Sequence, residues 1–389
     1  MPAKIRPAAV AAAFVGVAVI VVLALASVVT LGGAKAAGQG QPKCGDTITT
    51  DTTLHHNLVN CPNNGIIIGA DDITLDLNYH TVDGDGSLTP GCNPETEFCD
   101  EGVVNLGHDR VTVVHGSVHG FALGADAGRA RHVRFLDIST SRNLVFGMAI
   151  FASAKIVIRN GSSSRNIPPE GDGIGVFSSN HVRIVHNRIR RNAGPGINVD
   201  HSNENLIKRN VFSRNSPGIL MAGDRNQVRR NRIVRHDAGI ILGPASHNVI
   251  ARNRIIKGGD GIAIEKGHGN LVARNNIVGP RNAGVYLALD RPAIGGRDNL
   301  VRRNVVRDSG KDAFLVRSED RDSSLKRNVA VGAGDDGFDI QSHTAKLTKN
   351  LALQNGDLGI AAVRSVIDGG GNQASGNGDP RQCTNIACS

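Results

Sequence analysis

The chain of 389 residues has no Trp, two Tyr and ten Phe, so aromatic side chains make up only 3% of it. That argues against a surface built to stack bases or sugar rings on exposed rings. Methionine is nearly missing too, with three residues including Met1, which serves a soft thioether copper centre poorly. No cysteine lies between Cys99 and Cys383, so the long middle of the chain holds together without covalent help. No stretch carries a helical hydrophobic period of useful length, which sets bundles aside. Glycine is plentiful at 48 residues, and 40% of the chain is hydrophobic. It is too apolar for disorder and too glycine-rich for packed helices. Length alone would suggest two or three domains, but internal repeats replace that expectation with one continuous body.

The N-terminus reads as a targeting segment. Lys4 and Arg6 precede an uncharged stretch from Pro7 to Ala34 that closes on Ala34-Lys35-Ala36. Residues 1–36 are expected to be a signal peptide or, given the length of the apolar run, a retained membrane anchor. In either case the remainder is exported, extracellular or at the cell surface, and touches a membrane only through this segment. Six cysteines fit an oxidising compartment and fall into the near pairs Cys44/Cys61, Cys92/Cys99 and Cys383/Cys388. Near-neighbour pairing is the simplest of their connectivities. Residues 37–64 and 373–389 read as disulfide-closed caps on a body spanning 65–372.

That body is repetitive. Asparagine recurs at Asn187, Asn210, Asn231, Asn253, Asn275, Asn304, Asn328, Asn350 and Asn372, in steps of 21 to 24 residues with one of 29. Each ends a phrase such as Asn-Leu-Ile-Lys-Arg-Asn. Three residues earlier stands an apolar side chain (Ile207, Val228, Ile250, Val272, Val301, Leu325, Leu347), and two residues later another (Phe212, Ile233, Ile255, Ile277, Val306, Ala330, Ala352). A further apolar phrase follows, as in Gly173-Ile174-Gly175-Val176, Gly261-Ile262-Ala263-Ile264 and Gly337-Phe338-Asp339-Ile340. Three short alternating segments per repeat, broken by Gly, Asn or Asp, are strands joined by turns. A period near 22 with three strands is one coil of a parallel β-solenoid. Stacked about 4.8 Å apart, equivalent asparagines become a hydrogen-bonded ladder at a corner whose backbone Asn tolerates. Weaker coils run backward through Asn160, Asp137 and His115, for about a dozen coils and a rod of roughly 55–60 Å.

The phrase apolar-x-x-Asn-x-apolar followed by Gly-Ile-x-Val resembles the right-handed parallel β-helix repeat of the pectate-lyase-like superfamily. The resemblance covers about residues 65–372 and implies an all-β, single-chain rod that is expected to be monomeric. The superfamily includes pectate lyases, polygalacturonases, polyuronate epimerases, phage tailspikes and copper-loading accessory proteins, so fold does not settle function.

Carboxylates cluster on the Gly-Ile-x-Val strand. Counted by column, Asp335 and Asp357 align on adjacent coils, Asp312 and Asp336 align in the next column, and Asp339 points outward. Like charges roughly 5 Å apart bind a hard cation, share a proton or sit on open turns. No cofactor is required by the pattern; calcium is the one it could accommodate, on Asp312, Asp335, Asp336 and Asp357, while Asp before Gly is also the ordinary residue of a turn. The same columns place Tyr286, Arg317, Gln341 and His343 nearby, with Glu265 and Lys266 further along. A polyuronate lyase or epimerase needs a base for a sugar proton and a cation for the carboxylate. Asp335, Asp336, Asp339 and Asp357, with Arg317, Tyr286 and His343, are therefore the catalytic candidates. Closely spaced carboxyls also suit a retaining glycoside hydrolase.

Asp336-Gly337-Phe338-Asp339 is similar to the Tyr-Gly-Phe-Asp-Pro-His stretch of mannuronan epimerases, with Asp336 in place of Tyr and Ile340-Gln341 in place of Pro-His. Gly267-His268-Gly269 and Asp335-Asp336 overlap polygalacturonase motifs in the wrong order, a match read as chance. Insertions from Gly84 to Glu101, Ser162 to Glu170 and Asp290 to Gly296 are expected to border a groove.

The residue before the ladder asparagine is basic at Arg159, Arg209, Arg230, Arg252, Arg274, Arg303, Arg327 and Lys349, with His186 the one break. Stacked like charges either fan into water over apolar surface or meet an anion. The expected partner is a polysaccharide, anionic in character, that the rod binds or modifies as lyase, epimerase or hydrolase. The alternatives are a non-catalytic surface or structural rod and a copper-maturation accessory protein. Nucleic acid is not expected, since few aromatics interleave the basic residues.

Overall fold

A computed structural model describes residues 40–88, 90–92, 99–168, 170–287 and 295–389. The expected targeting segment lies outside these residues. Among these described residues every element is a strand, and every pairing between strands is parallel. One coil shows the plan. Leu206–Lys208 lies on a first sheet (sheet A), Val211–Ser213 on a second (sheet B) and Ile219–Met221 on a third (sheet C). These pair residue for residue with Gln227–Arg229, Arg232–Val234 and Ile240–Leu242 of the next coil. The solenoid has about fourteen turns, more than the dozen the repeats suggested. The extra coils lie at the ends. Asp46–Ile48 already pairs with Ile66–Ile68, and Cys383–Thr384 continues sheet C beyond Ile360–Ala361.

The apolar columns face inward as their spacing requires. Ile207, Val228, Ile250 and Val272 line sheet A, Phe212, Ile233 and Ile277 line sheet B, and Ile219, Ile240 and Ile262 line sheet C, all fully buried in one continuous core. Phe314 and Phe338 stack inside it with centroids 4.7 Å apart. Gly239 and Gly261 enter sheet C so close to the next coil that a Cβ there would strike its carbonyl oxygen. That explains the glycine opening the third phrase.

The corners hold more order than the repeats revealed. The expected ladder exists: each N–H donates to the next asparagine's Oδ1, as Asn187 to Asn210 at 2.8 Å, Asn210 to Asn231 at 2.9 Å and Asn253 to Asn275 at 2.9 Å. A second ladder stands at the corner before sheet A, through Asn205, Asn226, Asn248, Asn270 and Asn299. A third stands after sheet B, through Asn143, Asn166, Asn192 and Asn215, where His236 takes the next place. The left-handed backbone belongs not to these asparagines but to the residue before each. Arg209, Arg230 and Arg252 have φ of 57°, 55° and 57°, as do Glu204 (58°) and Arg214 (56°) at the other two corners. The chain turns at that residue, and the asparagine folds inward to satisfy the N–H groups the turn leaves open.

This geometry corrects the basic stripe. Arg159 pairs with Val185, so Asn160, with φ of 60°, occupies the corner position ahead of His186. Arg159 is not part of the stripe. His115, Asp137 and Asn160 share this left-handed column and are not members of the ladder. The insertion expected from Ser162 is also shorter, because Ser162–Ser164 is an ordinary sheet B strand paired with Arg188–Arg190. Disulfides join Cys44 to Cys61, Cys92 to Cys99 and Cys383 to Cys388. Closed disulfides with no free thiol among the described residues mark an exported protein. Among those residues no helix is long and apolar enough to cross a membrane.

Candidate functional site

Sheet C offers outward positions between its inward apolar ones, and equivalent outward residues stack into columns. The first column, two residues before the inward Ile or Phe, carries Asp260, Asp312 and Asp336 in its last third, and Asp172 and Glu101 earlier. A neighbouring column carries Ala263, Tyr286, Leu315 and Asp339 in strict register.

Asp312, Asp335 and Asp336 come together, each offering an oxygen within 4.8 Å of the others. Asp312 is nearly buried at 8% exposure, Asp336 is half-buried and Asp335 is exposed. Asp312 accepts the main-chain N–H of Asp336 at 3.2 Å, and Asp336 accepts that of Leu358 at 2.8 Å. Burial, together with the charges of neighbouring aspartates, lifts the Asp312 carboxyl to about 6 and that of Asp336 to about 7. Both therefore exchange protons near neutral pH. Asp357 stacks beyond Asp335, its N–H donating to the Asp335 carbonyl at 3.1 Å, but it is exposed and outside the close group.

Beside the acids runs a chain of polar side chains. The Arg317 guanidinium lies 6.0 Å from the Tyr286 ring centroid and donates to Gln341 Oε1 at 3.4 Å. Gln341 Nε2 in turn donates to Asp339 at 2.7 Å. Burial pushes the Asp339 carboxyl up, while the Gln341 hydrogen bond and the Arg317 charge pull it down. Tyr286, Arg317 and Asp339 are thus brought together across three coils. Glu265 is buried at 3% exposure two coils before Arg317. His343 is not part of this group: it sits exposed at the following corner, with Nδ1 2.7 Å from Ser365 Oγ. Of the insertion expected from Asp290 to Gly296, only Gly295 and Gly296 lie among the described residues.

Reading by clusters alone missed the earlier acids of the same face. Asp172 is buried, and its carboxyl is pushed up to about 8 by that burial, against a 3.0 Å hydrogen bond from Asn198. Glu101 and Asp126 are fully buried and share a hydrogen bond; burial raises both, Asp126 to about 7. The signal for the column was present in Asp172-Gly173-Ile174, Asp260-Gly261-Ile262 and Asp336-Gly337-Phe338. In each of these phrases the Asp stands two residues ahead of the inward side chain of sheet C and lands on one outward track.

The chain folds as a right-handed parallel β-helix. Residues 217–378 match the family described as right handed beta helix region, and residues 131–291 match the family described as periplasmic copper-binding protein (NosD). Among solved structures, the chain is similar to the A-module of the Azotobacter vinelandii mannuronan C-5 epimerase AlgE4. Identity there is 13% over 79% of this chain and 91% of that one, with a TM-score of 0.55. It is also similar to the catalytic domain of a GH87 alpha-1,3-glucanase, with 13% identity over 73% of this chain and 62% of that chain and a TM-score of 0.52. At such identity the likeness speaks to fold. No curated protein sequence matches the chain.

Proposed function

We propose that this exported β-helix modifies a polysaccharide on sheet C, with Asp336 and Asp312 as its proton-transferring groups and Asp339, Arg317 and Tyr286 flanking the bond that reacts. The observation that carries the reading is the pair of stacked carboxyls raised to about 6 and about 7 beside the Tyr286–Arg317–Gln341–Asp339 chain. A carboxyl held near neutrality can donate a proton to a leaving oxygen or take one from a sugar carbon. A cation such as Arg317 neutralises the negative charge that develops in such a reaction, which supports the reading. The epimerase and the glucanase named above are both named for glycans, which supports the same class of substrate here. Asp312, Asp335 and Asp336 form an all-oxygen set suited to a hard cation such as Ca²⁺.

The match to the copper-binding family favours a second reading, which the side chains do not fit. All six cysteines are in disulfides. Met148 and Met221 are packed in the core at 1% and 0% exposure. The close group of potential ligands among the described residues is the three aspartates, a hard site.

The test is a panel of polyuronates and neutral glucans assayed for new reducing ends, for ultraviolet absorbance of unsaturated ends and for C-5 inversion. Activity on a member of the panel, lost by about 100-fold or more in Asp336→Asn and Asp339→Asn proteins that still fold, supports the reading. A folded wild-type protein inert on the whole panel, with and without calcium, removes it.

A further inference from the structure

A second feature lies away from the acids. On sheet A, one outward column reads Lys208, Arg229, Ala251, Ala273, Arg302 and Lys326 in strict register. It is basic throughout except where two alanines interrupt it. Those alanines open a notch between Arg229 and Arg302, whose Cα atoms stand three coil steps, or about 14 Å, apart. The notch has a volume of about 360 Å³, within the range of ligand sites, with Val249 and Leu271 completing an apolar floor. Arg230, Arg252 and Arg274, from the left-handed corner positions, form its side wall.

No acidic residue lines the notch, and none of its five arginines is in an ion pair among the described residues. The Arg229 Nε is buried there without a hydrogen-bond partner among the described residues. Cations stacked on successive coils repel one another unless they fan into water or an anion lies between them. Beyond the notch the wall continues along the rod through Arg303, Arg327 and Lys349.

We infer that this notch is a binding site for an acidic polysaccharide running along the rod axis, one whose sugars carry carboxylates. Guanidinium groups engage carboxylates through paired hydrogen bonds, and their coil-by-coil repeat suits a ligand with regularly repeated charge. The floor of Val249, Ala251, Leu271 and Ala273 offers apolar contact to the C–H faces of sugar rings. No aromatic side chain lines the notch, so it lacks the stacking platform that single-stranded nucleic acid uses. The site is at the corner between sheets A and B, while the acids lie on sheet C. It therefore holds a polymer independently of any chemistry on sheet C.

The experiment measures affinity of the full chain for a polyuronate, a neutral glucan and a single-stranded oligonucleotide, each at several salt concentrations. Arg252→Asn/Arg274→Asn tests charge with little risk to the fold, because asparagine accepts left-handed backbone. Ala251→Leu tests shape by filling the notch with no change of charge. Expected are polyuronate binding that falls steeply with salt, a loss of about 30-fold in the double variant and about 10-fold in Ala251→Leu. Binding by Lys43→Gln, which removes an exposed cation remote from the notch, should remain at the wild-type level, which separates the notch from a general effect of net charge. Polyuronate affinity unchanged in both sheet A variants overturns the inference, as does equal or tighter binding of the glucan or the oligonucleotide.

Discussion

Asp336 and Asp312 occupy the same column on adjacent coils, and the N–H of Asp336 donates to the Asp312 carboxylate at 3.2 Å. Asp336 then accepts from Leu358 N–H at 2.8 Å. These side chains therefore do on a sheet what the asparagines do at the corners: each satisfies a main-chain donor of a neighbouring coil. An amide can perform that task, whereas only a carboxyl can carry a proton.

Replacing Asp336 should accordingly separate stability from chemistry. Asp336→Asn keeps an acceptor for Leu358 and should unfold in urea within about 0.5 kcal/mol of wild type. Asp336→Ala leaves that N–H unsatisfied and should cost about 1–3 kcal/mol. Glycan-modifying activity should be lost in both.

The ladder makes a stronger claim on stability. Asn253 accepts from Asn231 N–H at 2.9 Å and donates to the Val228 carbonyl at 2.9 Å and to Asn275 at 3.1 Å. Asn253→Ala orphans buried groups on both neighbouring coils and should lower unfolding free energy by about 2–4 kcal/mol. A denaturant titration followed by circular dichroism measures it. Ala at exposed Arg252 should cost less, since that side chain points out of the corner.

His236 interrupts the third ladder. It takes the Asn215 N–H on Nδ1 at 3.1 Å, but its buried Nε2 has no partner among the described residues. Burial lowers its pKa below the ordinary histidine value of 6.5, against its hydrogen bonds. A lowered histidine contributes stability above pH 6.5 and loses it as pH falls from there through its folded value. His236→Asn should restore the amide ladder, raise stability by about 1 kcal/mol at neutral pH and remove this loss on the acid side. Melting curves between pH 5 and pH 8 check both effects.

Asp172 titrates in the opposite sense. Its folded value of about 8 lies far above the ordinary 3.8 because burial penalises its charge. Stability from this group is therefore greatest below pH 4 and declines as pH rises from there towards 8. Asp172→Asn keeps an acceptor for Asn198 and removes the buried ionisation. Its melting temperature should match wild type at pH 4 and exceed it by a few degrees at pH 9.

Much of this was legible in the order of residues. Two-residue alternation, glycine before the third phrase and asparagine every 21 to 24 residues, with one step of 29, specify a parallel solenoid, because no other stacking lines up all three apolar columns. Asp312, Asp335 and Asp336 were legible as neighbours for the same reason: a constant coil turns distance along the chain into column and step. Where the coil is irregular the reading slipped. The shift of one residue at Arg159 moved a charge out of its supposed stripe, and the shorter insertion after Ser164 hid a full strand. Two of the three ladders also passed unseen, since a serine or a histidine can stand in for asparagine at a corner.

Column membership, then, was set by the spacing of apolar side chains, a local property written along the chain. Which member of a column is buried, and so which acid titrates near neutrality, was decided only when coils packed. Asp335 and Asp336 are adjacent in the chain, yet one is exposed and the other half-buried with its carboxyl lifted to about 7. The same holds for the notch: Ala251 and Ala273 are unremarked small residues until stacking sets them between Arg229 and Arg302. Desolvation and cavity shape depend on what lies above and below, and only the three-dimensional stack supplies those neighbours.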